Sequence, residues 1–547
     1  MTSDALSTQA EAVRLRAADL AAGLSRAARG SATIAQERAV LRMLGVDGLD
    51  RTGRPLAAAL AERYCGADTG RLARGVLLPF VVALLEYDMA PHELALDGAS
   101  GAVDLGLEAE LLERPDRLAA AEKKASQLVA AALARFDANR TATRDMRDVL
   151  GSPPEPWLGV ALEATEVTAA VAETRTIVRG GADLIQVNVP ASWEFAEARR
   201  QAGLETPGLF EAGPAQRGGR GGGSAASGRR GVRRKGGVDS SAQEQVPAGS
   251  QRGLAALRQA TDRAAAERGC YVSLMTVTSA FAAPEQAVVA AFERIDYVGA
   301  DSVREIVEDN VDPDRALADH SFAHRLQARA GCRVVIGPGP LALGADVASG
   351  IPADAATRAG RALALQALGV ELALIDGLAA DRLMLGAVPD WAAGDGDASS
   401  ILLQAWLRSA LFPGHRLVLG GAAGWIAAGR SAAAVAALAG ARLSLVLEPS
   451  AAGNVPSIAA ELAAAAGAAG AVRASLGDGV IHGDAAELAA RTLRAADGVL
   501  ERLAAEGWES LLGPASGDAD GDRLGGSAVV ARATGPGTSE RLLRDLL

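Results

Sequence analysis

The chain has 547 residues, with 55 Lys or Arg against 66 Asp or Glu, so its formal net charge is −11. This length accommodates several domains or one large barrel with additions, and a net acidic chain is a poor candidate for general binding to nucleic acids or membrane surfaces. Aromatic residues make up only 3% of the chain, so Ala, Leu and Val must fill the core. Three widely spaced cysteines, Cys65, Cys270 and Cys332, exclude a disulfide framework or a zinc ribbon and favour a reducing compartment.

The sequence shows no membrane or export signal. No run of 18 residues is apolar enough to span a bilayer, and Met1–Asp4 opens neither a basic nor an apolar leader. We therefore expect a cytoplasmic protein with no membrane partner.

Lysine occurs only three times, at Lys123, Lys124 and Lys235, and every other basic residue is Arg. Any reaction that needs a lysine amine has only these three places in the chain to find one.

Residues 1–150 are predicted to form an N-terminal helical region. Apolar residues recur at helical spacing in Thr2–Ala28, Glu37–Leu44, Leu72–Leu85 and Arg117–Asp137. The next run, Gly151–Pro156, contains three prolines and marks a boundary, because proline cannot continue a helix.

Beyond this boundary, short β-type runs alternate with helical runs. The predicted strands are Trp157–Leu162, Asp183–Val189, Tyr271–Val277, Ile295–Val298, Arg333–Ile336, Glu371–Ile375, Arg416–Leu419 and Arg442–Leu447. The predicted helices are Val167–Val178, Arg252–Glu267, Pro284–Phe292, Asp314–Ala328, Ala353–Leu368, Ser399–Leu411, Ser431–Leu438 and Pro456–Ala468. Eight such units over residues 151–470 predict the α/β class and a (β/α)8 TIM barrel. A doubly wound open sheet is the alternative, but no glycine fingerprint follows the first strand.

Two further segments differ in composition from the barrel. The Gly/Ser/Arg-rich residues 213–249 interrupt the second unit and are predicted to be disordered. They suit either an RGG-like nucleic-acid tail or a solvated insertion, and the lack of aromatic residues between the arginines favours the insertion. Residues 471–547 are predicted to form a short C-terminal helical extension, with helices at Asp484–Ala505 and Thr538–Leu547 around the loop Gly513–Gly526.

The active site of such a barrel lies at the C-terminal ends of its strands. The residues predicted there are Asn188, Ser192, Trp193, Glu194, Thr278, Ser279, Asp301, Ser302, Gly337–Pro340, Asp376, Gly420–Gly421 and Glu448. Several have simpler interpretations. Asp301 and Ser302 suit a helix cap, the glycine runs suit tight turns or amides offered to a phosphate, and Asp376 is first a turn signal.

The sequence motifs give little support for a metal site or for covalent catalysis. His320 and His324 have a spacing that can hold a metal, but no His-Glu-x-x-His surrounds them, so we predict surface histidines on the outside of the barrel and no metal site. No P-loop, nucleophile elbow, Cys-x-x-Cys or Asp-x-His-x-x-Gly cobalamin signature is present. A covalent PLP enzyme needs a lysine in its barrel, and the predicted barrel units contain none.

One segment resembles a known family. Glu37–Asp50 reads E-R-A-V-L-R-M-L-G-V-D-G-L-D and is similar to E-R-A-V-x-R-L-L-G-I-D-G-V-D in the α subunit of the D-lysine 5,6-aminomutase family. Weaker similarities follow in register at Gly180–Ile185, Pro284–Glu285, Phe292–Asp296, Leu411–Pro413 and Asp522–Gly526. The resemblance covers most of the chain apart from residues 213–249.

The resemblance implies a helical segment followed by a barrel that holds PLP. It also implies radical migration of a terminal amino group to the neighbouring carbon of a small, basic amino acid, with adenosylcobalamin as the radical source. A β-type partner subunit would carry the cobalamin and supply the Schiff-base lysine. This matches the absence of a barrel lysine and of a cobalamin motif.

The resemblance also assigns site residues. Ser279 stands where the family has the serine of S-G-L-C-M-P-E, and Arg304 is a possible substitute phosphate ligand. Asn188 is a further candidate ligand of the cofactor, and no catalytic residue is assigned. Other family positions are replaced: the phosphate Arg falls in Val189–Glu194, the stacking Tyr and second Arg on Arg304 and Asp309, an acid on Leu341 and the substrate Lys on Gly424.

Three functions therefore remain open. The chain is an aminomutase subunit with a rebuilt substrate site, active only with its partner, or a non-catalytic paralogue that serves as a binding or assembly partner of a cobalamin-domain subunit. The third possibility is an unrelated barrel enzyme with Glu194, Asp376 or Glu448 as its acid or base.

Overall fold

A computed structural model describes most of the chain. The described residues are 3–28, 31–50, 52–155, 157–189, 250–307, 309–337, 355–386, 406–413, 415–420, 443–449, 455–457, 459–460, 484–511 and 532–534. The predictions for residues 213–249, Ser431–Leu438, Gly513–Gly526 and Thr538–Leu547 lie outside them.

The described residues form a mainly helical protein around one barrel. The helices are α1 (Ser3–Ala28), α2 (Ile34–Met43), α3 (Leu56–Cys65), α4 (Thr69–Arg74), α5 (Leu77–Tyr87), α6 (Pro91–Ser100), α7 (Leu105–Glu110), α8 (Pro115–Leu150), α9 (Val167–Arg179), α10 (Gln251–Arg268), α11 (Ala283–Phe292), α12 (Ser302–Val307), α13 (Pro313–Ala330), α14 (Ala355–Ile375) and α15 (Asp484–Glu506). The strands are β1 (Ser31–Thr33), β2 (Trp157–Ala161), β3 (Leu184–Val187), β4 (Ser273–Val277), β5 (Tyr297–Gly299), β6 (Arg333–Ile336), β7 (Leu383–Leu385), β8 (Arg416–Gly420), β9 (Leu443–Pro449) and β10 (Arg532–Thr534).

Strands β2 to β9 close into a barrel of eight parallel strands. Each strand pairs with the next, and the first and last close the ring: Val160 of β2 pairs with Ile185 of β3 on one side and with Glu448 of β9 on the other. The predicted (β/α)8 barrel is confirmed, and the alternative of an open sheet is excluded by the β2–β9 pairing. Strands β1 and β10 form a separate antiparallel pair.

One predicted strand is wrong. Glu371–Ile375 is the last part of α14, and the sixth barrel strand is Leu383–Leu385 instead. The run Glu-Leu-Ala-Leu-Ile alternates like a strand, but a run this short also fits a helix, and the Ala-rich segment before it continues the helical period. Asp376 therefore follows a helix rather than a barrel strand. The single helix predicted at Leu72–Leu85 is two helices, α4 and α5.

The interior of the barrel is filled with side chains. Alternation along each strand turns every second residue inward, and these residues pack into a small apolar cluster. Its members are Trp157, Leu184, Met275, Tyr297, Val335 and Met384. Because the lumen is plugged by this cluster, a small molecule can bind only at an end of the barrel.

The helices outside the barrel belong to two apolar cores. One core joins α1, α14 and α15 to the outer faces of the barrel strands, and the other joins α2, α3, α5 and α8 to α11 and α13. The division into 1–150, 151–470 and 471–547 stays a prediction, and the packing adds that the first and last long helices meet on the barrel. None of the helices in the described ranges has the length and hydropathy needed to cross a bilayer.

Helices α14 and α15 are in close contact at Gly360. A Cβ atom at this position would stand 2.6 Å from Cβ of Ala495 and 2.6 Å from the carbonyl oxygen of Thr492. Gly360→Ala is therefore expected to destabilise the protein by about 1–3 kcal/mol in urea unfolding, because the added methyl group forces two packed helices apart.

Whether a Gly→Ala substitution stabilises or destabilises the protein distinguishes the effect of close packing from that of helix propensity. At Gly23 of α1, an added Cβ atom would meet nothing within 4 Å, so Gly23→Ala is expected to stabilise by roughly 0.5–1 kcal/mol through propensity alone. A stabilising Gly360→Ala would contradict the close contact of α14 and α15.

Candidate active site

The C-terminal ends of β2 to β9 meet at one end of the barrel, which we call the mouth. Within the described residues it is built from small inward positions above the apolar plug, Gly159, Ala161 and Gly299, and from the first residues after several strands. Small side chains at the top of the lumen leave space for a ligand there. The mouth is thus the candidate active site.

The residue Asn188 lies at the mouth directly after β3. Its side chain is exposed, and its Oδ1 atom accepts a hydrogen bond from Nε2 of the buried Gln186 at 3.3 Å. Oε1 of Gln186 is buried without a partner. The end of β3 therefore offers two amide groups to the mouth. The predicted residues Ser192, Trp193 and Glu194 lie outside the described residues.

The loop after β4 carries Ser279, which is half-buried. The residue before it fastens the loop to the neighbouring strand, since both the amide nitrogen and Oγ1 of Thr278 donate to the carbonyl of Gly299, at 2.7 and 3.0 Å. Two residues further on, Phe281 has a φ of +63°. A left-handed backbone at a bulky residue is strained, so the surrounding contacts must hold it.

Those contacts come largely from helix α2. Nε of Arg38 lies 2.9 Å from Oε2 of Glu285, and its second amino group donates to the carbonyl of Phe281 at 2.6 Å. Arg42 holds the other oxygen of Glu285 at 2.8 Å. From the opposite direction, the guanidinium of Arg315 stacks 4.0 Å above the ring of Phe281. We call Arg38, Arg42, Glu285 and Phe281 the loop clamp.

The loop clamp gives the Glu37–Asp50 motif a physical role. Arg38 and Arg42 of the motif hold the loop of Ser279, and Oε2 of Glu37 accepts a hydrogen bond from the amide of Val76 at 2.6 Å. One face of α2 therefore contacts the barrel loop, and the same helix is tied to the start of α5.

The polar side chains after β5 are already engaged in contacts with nearby residues. Oδ1 of Asp301 accepts the amides of Val303 and Arg304 at 3.0 and 3.2 Å, as expected for a cap, and burial raises the pKa of Asp301. The guanidinium of Arg304 lies 3.8 Å from Asp309. The role of Arg304 as a substitute phosphate ligand stays a prediction, and a carboxylate five residues further on lies within reach of its guanidinium.

The prediction that the two histidines of α13 lie on the surface is wrong. His320 and His324 are 1% and 2% exposed, because the helices of the N-terminal region cover the face of α13 that a bare barrel would leave open. Nε2 of His320 lies 3.0 Å from Glu305, and Nδ1 of His324 lies 3.1 Å from Asp376. Burial opposes the charged form of His320, but Glu305 outweighs it and the pKa of His320 is raised.

These buried pairs are not at the mouth, and they do not form a metal centre. The described residues contain no group of three or more His, Cys, Asp or Glu side chains able to hold a metal ion. Asp376 accepts hydrogen bonds from Ser321 at 2.7 Å as well as facing His324, so its role is to satisfy buried polar groups. Of the three acid or base candidates, Glu194 lies outside the described residues, and Glu448 lies within β9, where only the backbone is described.

One buried residue that binds a strand end gave no signal in the sequence. The side chain of Arg408 is 1% exposed and donates to the carbonyl of Gly386, the residue after β7. Nothing in its local sequence, an ordinary helical run, sets it apart from the many other arginines.

Among the predicted glycines, Gly337 directly follows β6 with a φ of +113°, and Gly420 ends β8. The residues Pro338–Pro340 and Gly421 lie outside the described residues.

A comparison with protein families identifies one match. Residues 6–192 and 248–417 match the family described as the D-lysine 5,6-aminomutase TIM-barrel domain of alpha subunit. The two matched ranges leave out residues 193–247, which hold nearly all of the predicted insertion at 213–249, and include both halves of the loop clamp.

Individual relatives agree with this match. The chain is 24% identical over 383 residues to the lysine 5,6-aminomutase alpha subunit of Fusobacterium nucleatum subsp. nucleatum, covering 70% of this chain and 64% of the relative. It is also 24% identical over 354 residues to that of Acetoanaerobium sticklandii, covering 65% and 58%. The chain thus spans less than two thirds of the length of these relatives.

Among solved structures, dihydropteroate synthase from Anaplasma phagocytophilum with bound 6-hydroxymethylpterin-monophosphate is similar at 12% identity. It has a TM-score of 0.35 and covers 58% of this chain and 100% of its own. A similarity at this score supports no conclusion about function.

Proposed function

The chain belongs to the family of the TIM-barrel domain of the D-lysine 5,6-aminomutase alpha subunit, and from this membership we propose that it is the barrel subunit of an aminomutase. The proposed reaction moves an amino group between neighbouring carbons of a small amino acid, with adenosylcobalamin and PLP as cofactors. The proposal places the protein in the cytoplasm, where such amino acids are metabolised. The observation that carries it is the joint match of the α2 motif and the barrel, two regions that meet in the loop clamp.

The lysine inventory supports a partner subunit. Lys123 and Lys124 lie on α8, exposed and half-buried, and Lys235 falls in the predicted insertion. No lysine therefore lies on a described barrel strand or in a described loop at the mouth, and Lys235 belongs to the connection that follows β3. PLP, when bound, supplies an electron sink to the amino group that migrates, and enzymes hold it through a lysine amine. We propose that a β-type subunit provides this lysine together with the cobalamin.

The residues of this chain fit the phosphate end of such a cofactor. Ser279 presents a half-buried hydroxyl on a loop held by the clamp, and Arg408 presents a buried guanidinium with an orphaned nitrogen. Hydroxyl and guanidinium donors are the groups that bind phosphate oxygens. In this proposal Ser279 donates a hydrogen bond to the cofactor, Asn188 closes the exposed side of the mouth, and the apolar plug excludes water from below.

The proposal is tested by labelling the lysine that holds PLP. The chain is co-expressed with a protein that carries Asp-x-His-x-x-Gly and a nearby lysine, and the purified complex is treated with PLP and borohydride. The pyridoxyl label is expected on the partner and not on this chain, as read by peptide mass spectrometry.

A lysine-free chain serves as the control. The triple variant Lys123→Arg, Lys124→Arg, Lys235→Arg keeps the charge but removes every lysine amine. Labelling of the complex is expected to be unchanged in it. A label on this chain that disappears in the triple variant contradicts the proposed division of labour.

A second candidate is the non-catalytic paralogue. It is favoured by the pairing of Arg304 with Asp309, two positions that the resemblance aligned with a stacking Tyr and a phosphate Arg. A stable complex with the cobalamin subunit that takes up no pyridoxyl label and shifts no amino group supports this candidate instead.

A further inference from the structure

Arg408 is a buried charge, and the described residues provide no counter-charge for it. Its side chain is among the largest that are fully buried, and no carboxylate in the described part of the chain pairs with it. One amino group donates to the carbonyl of Gly386, and Nε is buried without an acceptor. Burial lowers the pKa of Arg408 to about 9, because no anion among the described residues offsets the cost of burying its charge.

A second orphaned group lies beside it. Nε2 of Gln366 on α14 donates to the carbonyl of Ile336 at 2.9 Å and to that of Gly386 at 3.1 Å, and its Oε1 is buried without a donor. Gln366 and Arg408 thus share one acceptor, the carbonyl of Gly386. Each residue also carries one spare atom, a donor on Arg408 and an acceptor on Gln366.

The carbonyls that this pair binds lie at the C-terminal ends of two barrel strands. Ile336 ends β6 and Gly386 directly follows β7, and the amide of Gly386 donates to the carbonyl of Ile336 at 2.8 Å. The C-terminal ends of barrel strands are where such folds bind phosphate groups. A buried water could satisfy the two hydrogen-bonding atoms, but it would leave the charge of the guanidinium uncompensated.

We propose that Arg408 and Gln366 form a phosphate-binding subsite at the ends of β6 and β7. A monoprotonated phosphate accepts from Nε of Arg408 and donates to Oε1 of Gln366, so it satisfies both orphaned atoms and the charge at once. The phosphate comes from a cofactor or substrate, or it is free inorganic phosphate. If it is the phosphate of PLP, the inference rests on the proposed function, but its test uses the chain alone.

The test is thermal unfolding of the full chain at matched ionic strength. Separate samples contain inorganic phosphate, pyridoxal phosphate, pyridoxal without its phosphate, or acetate. Both phosphate compounds are expected to raise the Tm, and pyridoxal and acetate are not. At a concentration 100 times the Kd, the folded state gains about 100-fold over the unfolded state. A larger effect of pyridoxal phosphate than of inorganic phosphate identifies the cofactor as the source.

Two variants locate the effect. Arg408→Met removes the charge at similar volume, so its Tm is expected to be independent of phosphate and, in phosphate-free buffer, no lower than that of the wild-type chain. Arg382, which donates to the carbonyl of Gly331 at the other end of the barrel, is the matched control. Arg382→Met is expected to keep the full phosphate effect.

Three results would overturn the inference. The first is a wild-type Tm that does not respond to either phosphate compound. The second is a phosphate effect that survives in Arg408→Met or disappears in Arg382→Met, which places the anion elsewhere. The third is stabilisation by acetate alone, which makes the subsite a carboxylate site. Each result is obtained without the partner subunit, so failure here is distinct from failure of the labelling experiment.

Discussion

Asp296→Asn is expected to destabilise the protein by about 3–5 kcal/mol, because it removes a buried carboxylate shared by two arginines and leaves Arg258 with Asp262 alone. Asp296 is fully buried before β5, where Oδ2 accepts from Arg258 and from the amide of Leu274, both at 2.9 Å. Oδ1 accepts from Arg147 and, at 2.7 Å, from the hydroxyl of Tyr271. The network ties α8 and α10 to β4 and β5, so its loss acts on the whole base of the barrel. Urea unfolding measures the change.

The same carboxylate predicts how stability depends on pH. Burial alone would raise the pKa of Asp296, but Arg147 and Arg258 outweigh it and the pKa is lowered. A carboxyl group with a lowered pKa in the folded state stabilises above its unfolded value, near 4, and this contribution is lost as the pH falls through the folded value. The acid-induced loss of stability is therefore expected to be shallower in Asp296→Asn.

Two further variants make the series falsifiable. Tyr271→Phe removes one donor and keeps the ion pairs, so it is expected to cost about 1.5 kcal/mol. Asp145→Asn breaks an exposed pair with Arg144 on α8, and we expect less than about 1 kcal/mol from it. An Asp296→Asn variant no less stable than Asp145→Asn would show that the network contributes little.

The barrel was predictable because its signal is local. Each strand is a short apolar run and each helix an amphipathic or Ala-rich run, and parallel closure follows from their alternation. Where one run fits both periods, as at Glu371–Ile375, the sequence alone could not decide, and the outcome depended on where the preceding helix stopped. The burial of His320 was also beyond local patterns, because it depends on helices that come from far earlier in the chain.

The candidate site was predictable only in its position. Ser279 falls at a strand end because every barrel places its functional residues there, and the family resemblance singled it out. The contacts that fix or complement it join residues remote in sequence: Arg38 and Glu285 are 247 positions apart. Arg408 and Gln366 meet only because two strand ends are neighbours in the closed barrel. No pattern in a single sequence reports such pairs.

Arg38→Met is expected to cost about 2–4 kcal/mol and to release the loop that carries Ser279. The change removes one of the two arginines on Glu285 and takes a donor from the carbonyl of Phe281, in a site where Arg38 itself is 2% exposed. The positive φ of Phe281 is then held by fewer contacts, and the strained turn is expected to relax. Urea unfolding measures the cost, and hydrogen exchange of the amides of residues 279–282 measures the release.

The variant Arg42→Met tests whether the loop is released specifically or only because the whole protein is less stable. Arg42 shares Glu285 but points its other amino group at Asp47 rather than at Phe281, and its side chain is 16% exposed, so this variant is expected to cost less and to leave exchange at residues 279–282 nearly unchanged. Arg38→Lys keeps the charge but cannot reach both acceptors with one planar group, and its loop is expected to exchange at an intermediate rate. Equal exchange in all three variants would mean that α2 merely packs on the barrel. A graded increase from Arg42→Met through Arg38→Lys to Arg38→Met means that the N-terminal motif positions the serine at the mouth.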